Sequence, residues 1–297
     1  MGLVRVALLL LSVALLVALA LWVRRALVVY RIERDEMTWR SPVEALPAGR
    51  DGIDGLREVQ WTLRDGSRQR AFHAPGTNGV VVVIAHGSPG TALSMLPEAR
   101  GLARRGYGVL LLNLPGYGGS EGPRTWGANF REAVRAAVDF AAAQPGVRRV
   151  AGYGYSMSTC IMMQVAADDP RIAALVLLAP FTDIAAQRAY QHRSRLPGVA
   201  EIAIPTARHF GLATDELDAT AAVRRLGGRP LLLIVGDQDA AIPLWMPDRL
   251  KGLAEKADLW VVAGAGHADI AASGGDALIE RIDAFLQSHS KPDTDIP

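Results

Sequence analysis

The feature that most narrows the fold is a series of short, continuously apolar segments. They read VVVVIAH at 80–86, YGVLLLNL at 107–114, RRVAGYG at 148–154, IAALVLLAP at 172–180 and PLLLIVG at 230–236, with DLWVVAG at 258–264 as the last. None of the central runs alternates apolar with polar residues, so each predicts a strand buried on both faces. Between them lie helical patterns: SMLPEARGLARRG, WGANFREAVRAAVDFAAAQ, TCIMMQVAAD, PLWMPDRLKGLAEKA and DALIERIDAFLQSHS. Strands buried on both faces and separated by amphipathic helices predict an α/β domain with a mostly parallel central sheet and helices on both faces. REVQWTL and RQRAFHA, flanking an Asp-Gly turn at 65–66, predict a hairpin that adds antiparallel strands at one edge.

The alternation fails once. From 182 to 228 no strand-like run occurs, and an insertion of that length in a compact domain predicts a short helical lid. The expected organisation is an N-terminal membrane anchor at 1–30, a polar, proline-interrupted linker at 31–55, the α/β domain at 56–289 and a disordered tail at 290–297.

The anchor rests on Val6 to Val23, VALLLLSVALLVALALWV, in which Ser12 is the only polar residue. A helix of that length spans roughly 27 Å, close to the hydrocarbon thickness of a bilayer. Arg5 and Ala18-Leu19-Ala20 resemble a signal peptide and its cleavage site, but the apolar run continues past them into LWV, Arg24-Arg25 and ALVVY. That pattern favours an uncleaved single-pass helix in the cell membrane. Arg24, Arg25, Arg31 and Arg34 on the C-terminal flank outnumber Arg5 on the other, which predicts a cytoplasmic domain.

Composition excludes several classes. The net charge is +2 without a basic run interleaved with aromatics, so nucleic acid is not an expected partner. Cys160 is the only cysteine and the six histidines lack H-x-x-x-H spacing, so neither an internal disulfide nor a structural metal is expected.

In an open α/β sheet ligands bind at the carboxyl ends of the strands. Four strand exits carry reactive or donor groups. Ser156 follows RRVAGYG at the head of a helix, in Gly154-Tyr155-Ser156-Met157-Ser158. A sharp strand-to-helix turn lifts the hydroxyl into the site and needs small residues two positions either side, which Gly154 and Ser158 supply. Asp237 and Asp239 follow PLLLIVG, and His267 follows DLWVVAG. A serine is a poor nucleophile unless a histidine takes its proton and a carboxylate orients that histidine. His86-Gly87-Ser88-Pro89-Gly90 follows the first buried run. Pro89 has no N–H, so the Ser88 N–H, with that of Met157, is the expected oxyanion donor. His86 is expected to hold this loop.

The HGSPG loop, NLPGYGGSEG at 113–122, G-Y-S-M-S, G-x-x-D-x-x-I-P at 236–243 and the late G-x-G-H resemble the α/β-hydrolase superfamily. The match runs from about 57 to 289 and is similar to membrane-anchored short-lid serine hydrolases of the bud-emergence type and to serine aminopeptidase-like hydrolases. The resemblance implies Ser156 as nucleophile, Asp239 as acid and His267 as base, with no cofactor. Ser158 replaces the usual glycine, and Pro115 stands where many relatives carry arginine. Asp237 and Asp183 compete for the acid role; the G-x-x-D spacing favours Asp239.

The expected function is hydrolysis of a carboxylic ester or thioester through an acyl-enzyme, with a small-molecule acyl ester, lipids included, as substrate. Two alternatives stand beside it. An aminopeptidase needs a carboxylate for the substrate's amino terminus, for which the lid offers Asp183, Glu201, Asp215, Glu216 and Asp218. A catalytically inactive, membrane-tethered binding protein is the other. The lid's Arg188, His192, Arg193, Arg195, Arg208 and His209 are expected on a solvated face, with attraction of an anionic substrate as the competing reading. Tyr155 is expected to pack; Ile242, Leu244 and Trp245 line an acyl pocket or belong to the core.

Overall fold

The computed structural model describes residues 2–39, 41–46, 52–195, 198 and 200–289. An eight-stranded sheet has the order β1-β2-β4-β3-β5-β6-β7-β8. Its strands are β1 (Arg57–Thr62), β2 (Arg68–Ala74), β3 (Val80–Ala85), β4 (Gly108–Leu112), β5 (Arg149–Tyr155), β6 (Ile172–Leu178), β7 (Leu231–Gly236) and β8 (Ala257–Val262). The pairs β1–β2 and β2–β4 are antiparallel and the other five are parallel. Every residue of β3, β4 and β7 is buried, which the unbroken apolar runs require. The edge strands β1 and β8 are largely exposed or half-exposed.

Helices α2 (Leu96–Ala103) and α9 (Ile270–His289) pack together on one face. On the other lie α3 (Ala128–Ala142), α4 (Met157–Asp168), α7 (Ala219–Arg224) and α8 (Trp245–Leu253). The α9 pattern begins at Ile270, six residues ahead of the expected start at 276. Gly275, at φ 51° and ψ −137°, turns the chain between two helical pieces without the clash a side chain would meet.

The expected lid contains α5 (Ile184–Gln191), α6 (Ala203–His209) and α7. A bridge between Asp183 and Asp218 closes the part of it that carries α5 and α6. Asp183 caps α5, its carboxylate accepting from the Ala186 N–H at 2.8 Å, and Asp218 caps α7 through the N–H groups of Thr220 and Ala221.

The boundary between anchor and linker is corrected. Helix α1 runs from Gly2 to Thr38, so residues 31–38 of the expected linker are helical. Neither glycine nor proline interrupts the chain between Arg24 and Pro42, and the extension carries carboxylates that the lid buries. Leu3 to Thr38 forms a helix long and apolar enough to cross a membrane, and its most apolar stretch is buried nowhere in the fold. Near its C-terminal end Val29 is buried against Ala203 of the lid, and Tyr30 meets Phe210 edge-on at 5.7 Å. The proposed tail at 290–297 lies outside the described residues.

The lid's solvated face is corrected in part. Arg188 and His192 are 4% and 1% exposed, paired with Glu33 and Glu36 of α1, whereas Arg208 and His209 are exposed as expected. Charge composition suggested a solvated face for both, and nothing in the local sequence shows that a second helix covers them.

Candidate active site

Ser156 sits between the end of β5 and the first turn of α4, at φ 49° and ψ −110°. A non-glycine residue in this region is strained, and the strain aims the side chain up out of the sheet. Several bonds hold it there. The Ser156 N–H donates to the Leu178 carbonyl at 2.8 Å, and its own carbonyl accepts from the Thr159 hydroxyl at 2.7 Å. A Cβ on Gly154 would come within 3.0 Å of the Thr159 Cα, so glycine is required there. On the other side of the turn the residue is used, not merely tolerated. Ser158 is fully buried; its Oγ accepts from the Tyr155 N–H at 2.9 Å and lies 2.7 Å from the Ala85 carbonyl, to which it donates. The serine that replaces the usual glycine therefore ties the turn to the end of β3.

Ser156 Oγ lies 3.0 Å from His267 Nε2, and His267 Nδ1 lies 2.8 Å from Asp239 Oδ2. A carboxylate only accepts, so Nδ1 carries the proton and the Nε2 lone pair faces the serine. Asp239 is 6% exposed; its second oxygen accepts the N–H groups of Ala241 and Ile242, both at 2.8 Å. The fold thus brings Ser156, Asp239 and His267 together from three strand exits. Asp237 is elsewhere, accepting the Gly264 N–H at 2.7 Å in the neighbouring turn. Asp183 is occupied as a helix cap.

Ser88 follows Gly87, whose Cβ would lie 2.9 Å from the Tyr155 ring and 3.3 Å from Ser156 Cβ. Only glycine lets the HGSPG backbone approach the serine so closely. Among the described residues the Ser88 N–H meets no backbone carbonyl, and the Met157 N–H, at the head of α4, has no acceptor within that helix. His86 is fully buried, which pulls its pKa down to about 4. It accepts the Leu114 N–H on Nε2 at 3.2 Å, so Nδ1–H donates to the Gly87 carbonyl at 2.8 Å. This fastens the HGSPG loop to the NLPGYGGSEG loop, as expected of a structural histidine.

Two tyrosines at the site were not legible as such. Tyr155 stacks on the His267 ring at 5.8 Å between centroids, and its hydroxyl donates to the His267 carbonyl at 2.5 Å. Burial raises the Tyr155 pKa to about 12, so that hydroxyl keeps its proton. Tyr117, fully buried, lies against the HGSPG loop: its hydroxyl is 3.1 Å from Ser88 Oγ and 3.7 Å from Met157 Sδ. For Tyr155, adjacency to the serine was the only available signal; for Tyr117 there was none beyond its glycine-rich loop.

A cleft of about 720 Å³ opens beside His267, Ser88 and Tyr155, and runs between α2 and α9. Met95, Leu178, Ala271 and Ile279 give it apolar walls, and Arg104 and Asp276 stand at its edge. Ile242, Leu244 and Trp245 do not line it; Ile242 is core, and the other two are exposed on the surface near α8. A smaller recess, about 360 Å³, lies at the starts of β3 and β5, the opposite end of the sheet from Ser156. Among the described residues no group of three or more His, Cys, Asp or Glu side chains is arranged to hold a metal ion.

Residues 80–201 match the α/β hydrolase fold family, and 213–297 match the TAP-like protein family. Uncharacterized proteins from two Mycobacterium tuberculosis strains, CDC 1551 / Oshkosh and H37Rv, are each 30% identical over 255 residues. The aligned region covers 83% of this chain and 82% of theirs. The chain belongs to the α/β-hydrolase family. Among solved structures it is similar to the Pyrococcus furiosus esterase Pf2001, at TM-score 0.71 and 18% identity over 84% of this chain and 97% of that one. A membrane phospholipase A, described as a bacterial virulence factor, aligns over 98% of this hydrolase and its own full length, at TM-score 0.62 and 20% identity. Est1E of Butyrivibrio proteoclasticus with ferulic acid bound aligns at TM-score 0.61 and 18% identity, over 78% of this chain and 99% of that one. These likenesses establish a common fold.

Two predictions follow from the hydrogen bonds of the turn and of His86. Ser158→Ala leaves the Tyr155 N–H and the Ala85 carbonyl without their buried partner and is expected to cost about 1–3 kcal/mol in a urea titration. His86 stays neutral in the fold down to about pH 4, whereas an unfolded histidine takes its proton near 6.5. Its contribution is complete above 6.5 and is lost as pH falls toward 4, amounting to about 3 kcal/mol. Burial also lowers His73 to about 4, so the His86 share is read as the loss between pH 7 and pH 4.5 in wild type that His86→Gln does not show in the same unfolding titrations.

Proposed function

We propose that this hydrolase cleaves carboxylic esters or thioesters through an acyl-enzyme on Ser156. The observation that carries the reading is the unbroken series Ser156 Oγ–His267–Asp239 at 3.0 and 2.8 Å, mounted on a strained turn beside a cleft with apolar walls. His267 Nε2 takes the hydroxyl proton as Oγ bonds to the substrate carbonyl carbon. The tetrahedral oxyanion receives the N–H groups of Ser88 and Met157, and Asp239 keeps His267 in the required tautomer. The imidazolium returns the proton to the departing alcohol or thiol as the carbon–oxygen or carbon–sulfur bond breaks. Water then gives a proton to His267 and its oxygen to the acyl carbon, releasing the acid and restoring Ser156. A serine in the elbow, where an aspartate would form an alkyl ester, argues against dehalogenase or epoxide hydrolase chemistry. The similar solved structures include an esterase, which agrees in kind with this reading.

The aminopeptidase alternative loses support from the lid. Asp183 and Asp218 cap helices, Asp215 pairs with Arg208 and Glu216 with Arg131, so four of its five carboxylates are already committed. The inactive binding protein is disfavoured by the intact hydrogen-bond series. The exposed apolar length of α1 supports a single-pass anchor in the cell membrane, and the arginines after it support a cytoplasmic catalytic domain.

Wild-type protein is expected to react with a fluorophosphonate probe and to turn over p-nitrophenyl esters faster than aminoacyl-anilides. Ser156→Ala should abolish labelling, and Asp239→Asn should lower kcat about 10³–10⁴-fold with labelling slowed in parallel. Labelling of Ser156→Ala at the wild-type rate refutes the assignment. For topology, the full-length chain should stay in the membrane after carbonate extraction, and a C-terminal alkaline phosphatase fusion should be inactive; an active one places the domain outside.

A further inference from the structure

The juxtamembrane end of α1 does more than carry the domain. Glu33 is fully buried; its carboxylate lies 3.1 Å from Arg188 Nε and 3.0 Å from His192 Nε2, and Glu36 accepts from Arg188 Nη2. Arg195 Nε donates to His192 Nδ1 at 3.1 Å, so His192 Nε2–H donates to Glu33 in a fixed tautomer. Buried ions of this kind repay their desolvation only in good geometry, and so specify position more than they add stability.

What they position lies one layer further in. The Arg188 guanidinium stands 5.8 Å from the Trp126 ring, and Trp126 Nε1 donates to the Tyr117 hydroxyl at 3.3 Å. A second arm leaves α1 by Trp39, whose ring lies 5.3 Å from Arg124; Arg124 in turn stands 4.1 Å over the Tyr117 ring. Both arms converge on the hydroxyl-bearing ring that touches Ser88 and Met157. Trp126 is itself held at φ 56°, a conformation a bulky residue adopts only when its surroundings impose it.

We propose that Glu36, Trp39 and Tyr117 are positioning residues for the oxyanion site, so that turnover depends on α1 being docked against the lid. The inference rests on the ester-hydrolase reading above. An oxyanion donor acts only within about 2.7–3.1 Å of the developing charge, and a misplacement near 1 Å costs on the order of 10²-fold in rate. Loss of one link is therefore read in kcat, because the network meets the cleft only at Ser88, whereas α2 and α9 supply most of its apolar walls.

The test is a double-mutant cycle on kcat for ester hydrolysis, with full-length protein in detergent micelles. Tyr117→Phe and Glu36→Gln are each expected to lower kcat about 10-fold with KM changed less than about 2-fold, and the double variant to be no slower than about 10-fold. Glu36→Asp should recover most of the loss. Trp39→Ala, an exposed side chain whose removal leaves the ion cluster intact, supplies a second cycle with Tyr117→Phe and is also expected to be non-additive. If both cycles are additive, or if the single variants leave kcat at the wild-type value, the inference is overturned. Wild type that neither labels with fluorophosphonate nor turns over ester overturns the hydrolase reading instead.

Discussion

The strained backbone at Ser156 is the constraint on which the rest of the structure depends. A serine at φ 49° is unfavourable by itself, and the surrounding bonds over-determine it: Leu178 holds its N–H, Thr159 its carbonyl, and Ser158 ties the preceding residue to β3. The turn also dictates its neighbours. Gly154 must be glycine because Thr159 closes over it, and Gly87 because the HGSPG loop passes against Tyr155 and Ser156. Ser158 shows how one residue type can answer a local constraint in two ways. Glycine would relieve crowding, whereas serine fits and supplies a hydrogen-bonding group to a buried N–H and a buried carbonyl.

The site depends equally on parts far from it in sequence. His267 is held from below by Asp239 and from the side by Tyr155, which uses the ring for stacking and the hydroxyl for the histidine's own carbonyl. The HGSPG loop is held by His86 on one side and Tyr117 on the other. Tyr117 then connects to α1 through cations and aromatic rings, so a helix that reads as an anchor is continuous with the catalytic domain. Charged groups make this connection because a carboxylate buried on α1 has no stable arrangement except against Arg188 and His192.

Much of the fold was legible because burial on both faces removes polar residues from central strands. Each of the unbroken apolar runs became a strand, and the stretch without one folded into α5, α6 and α7. That Ser156, His267 and an aspartate from the turn at 237–239 would be gathered together was legible because an open parallel sheet brings its strand exits to one end. The end of α1 was not. Arg-Ile-Glu-Arg-Asp-Glu reads as a polar linker, since local sequence carries no signal that Glu33 and Glu36 will meet a lid more than 150 residues later. For the same reason Arg188 and His192 read as a solvated stripe.

The sequence by itself determined the sheet, the helix long enough to span a membrane and the three residue types at the strand exits. Those follow from hydrophobic periodicity and turn chemistry, which act between near neighbours. Only the tertiary structure decided which aspartate meets His267, that Ser158 is a tie within the turn, and that α1 reaches the HGSPG loop through Arg188, Trp126 and Tyr117. These depend on side chains from distant segments meeting at hydrogen-bond distance. A single chain specifies such meetings only through the packing of the whole, because no short window of residues contains both partners.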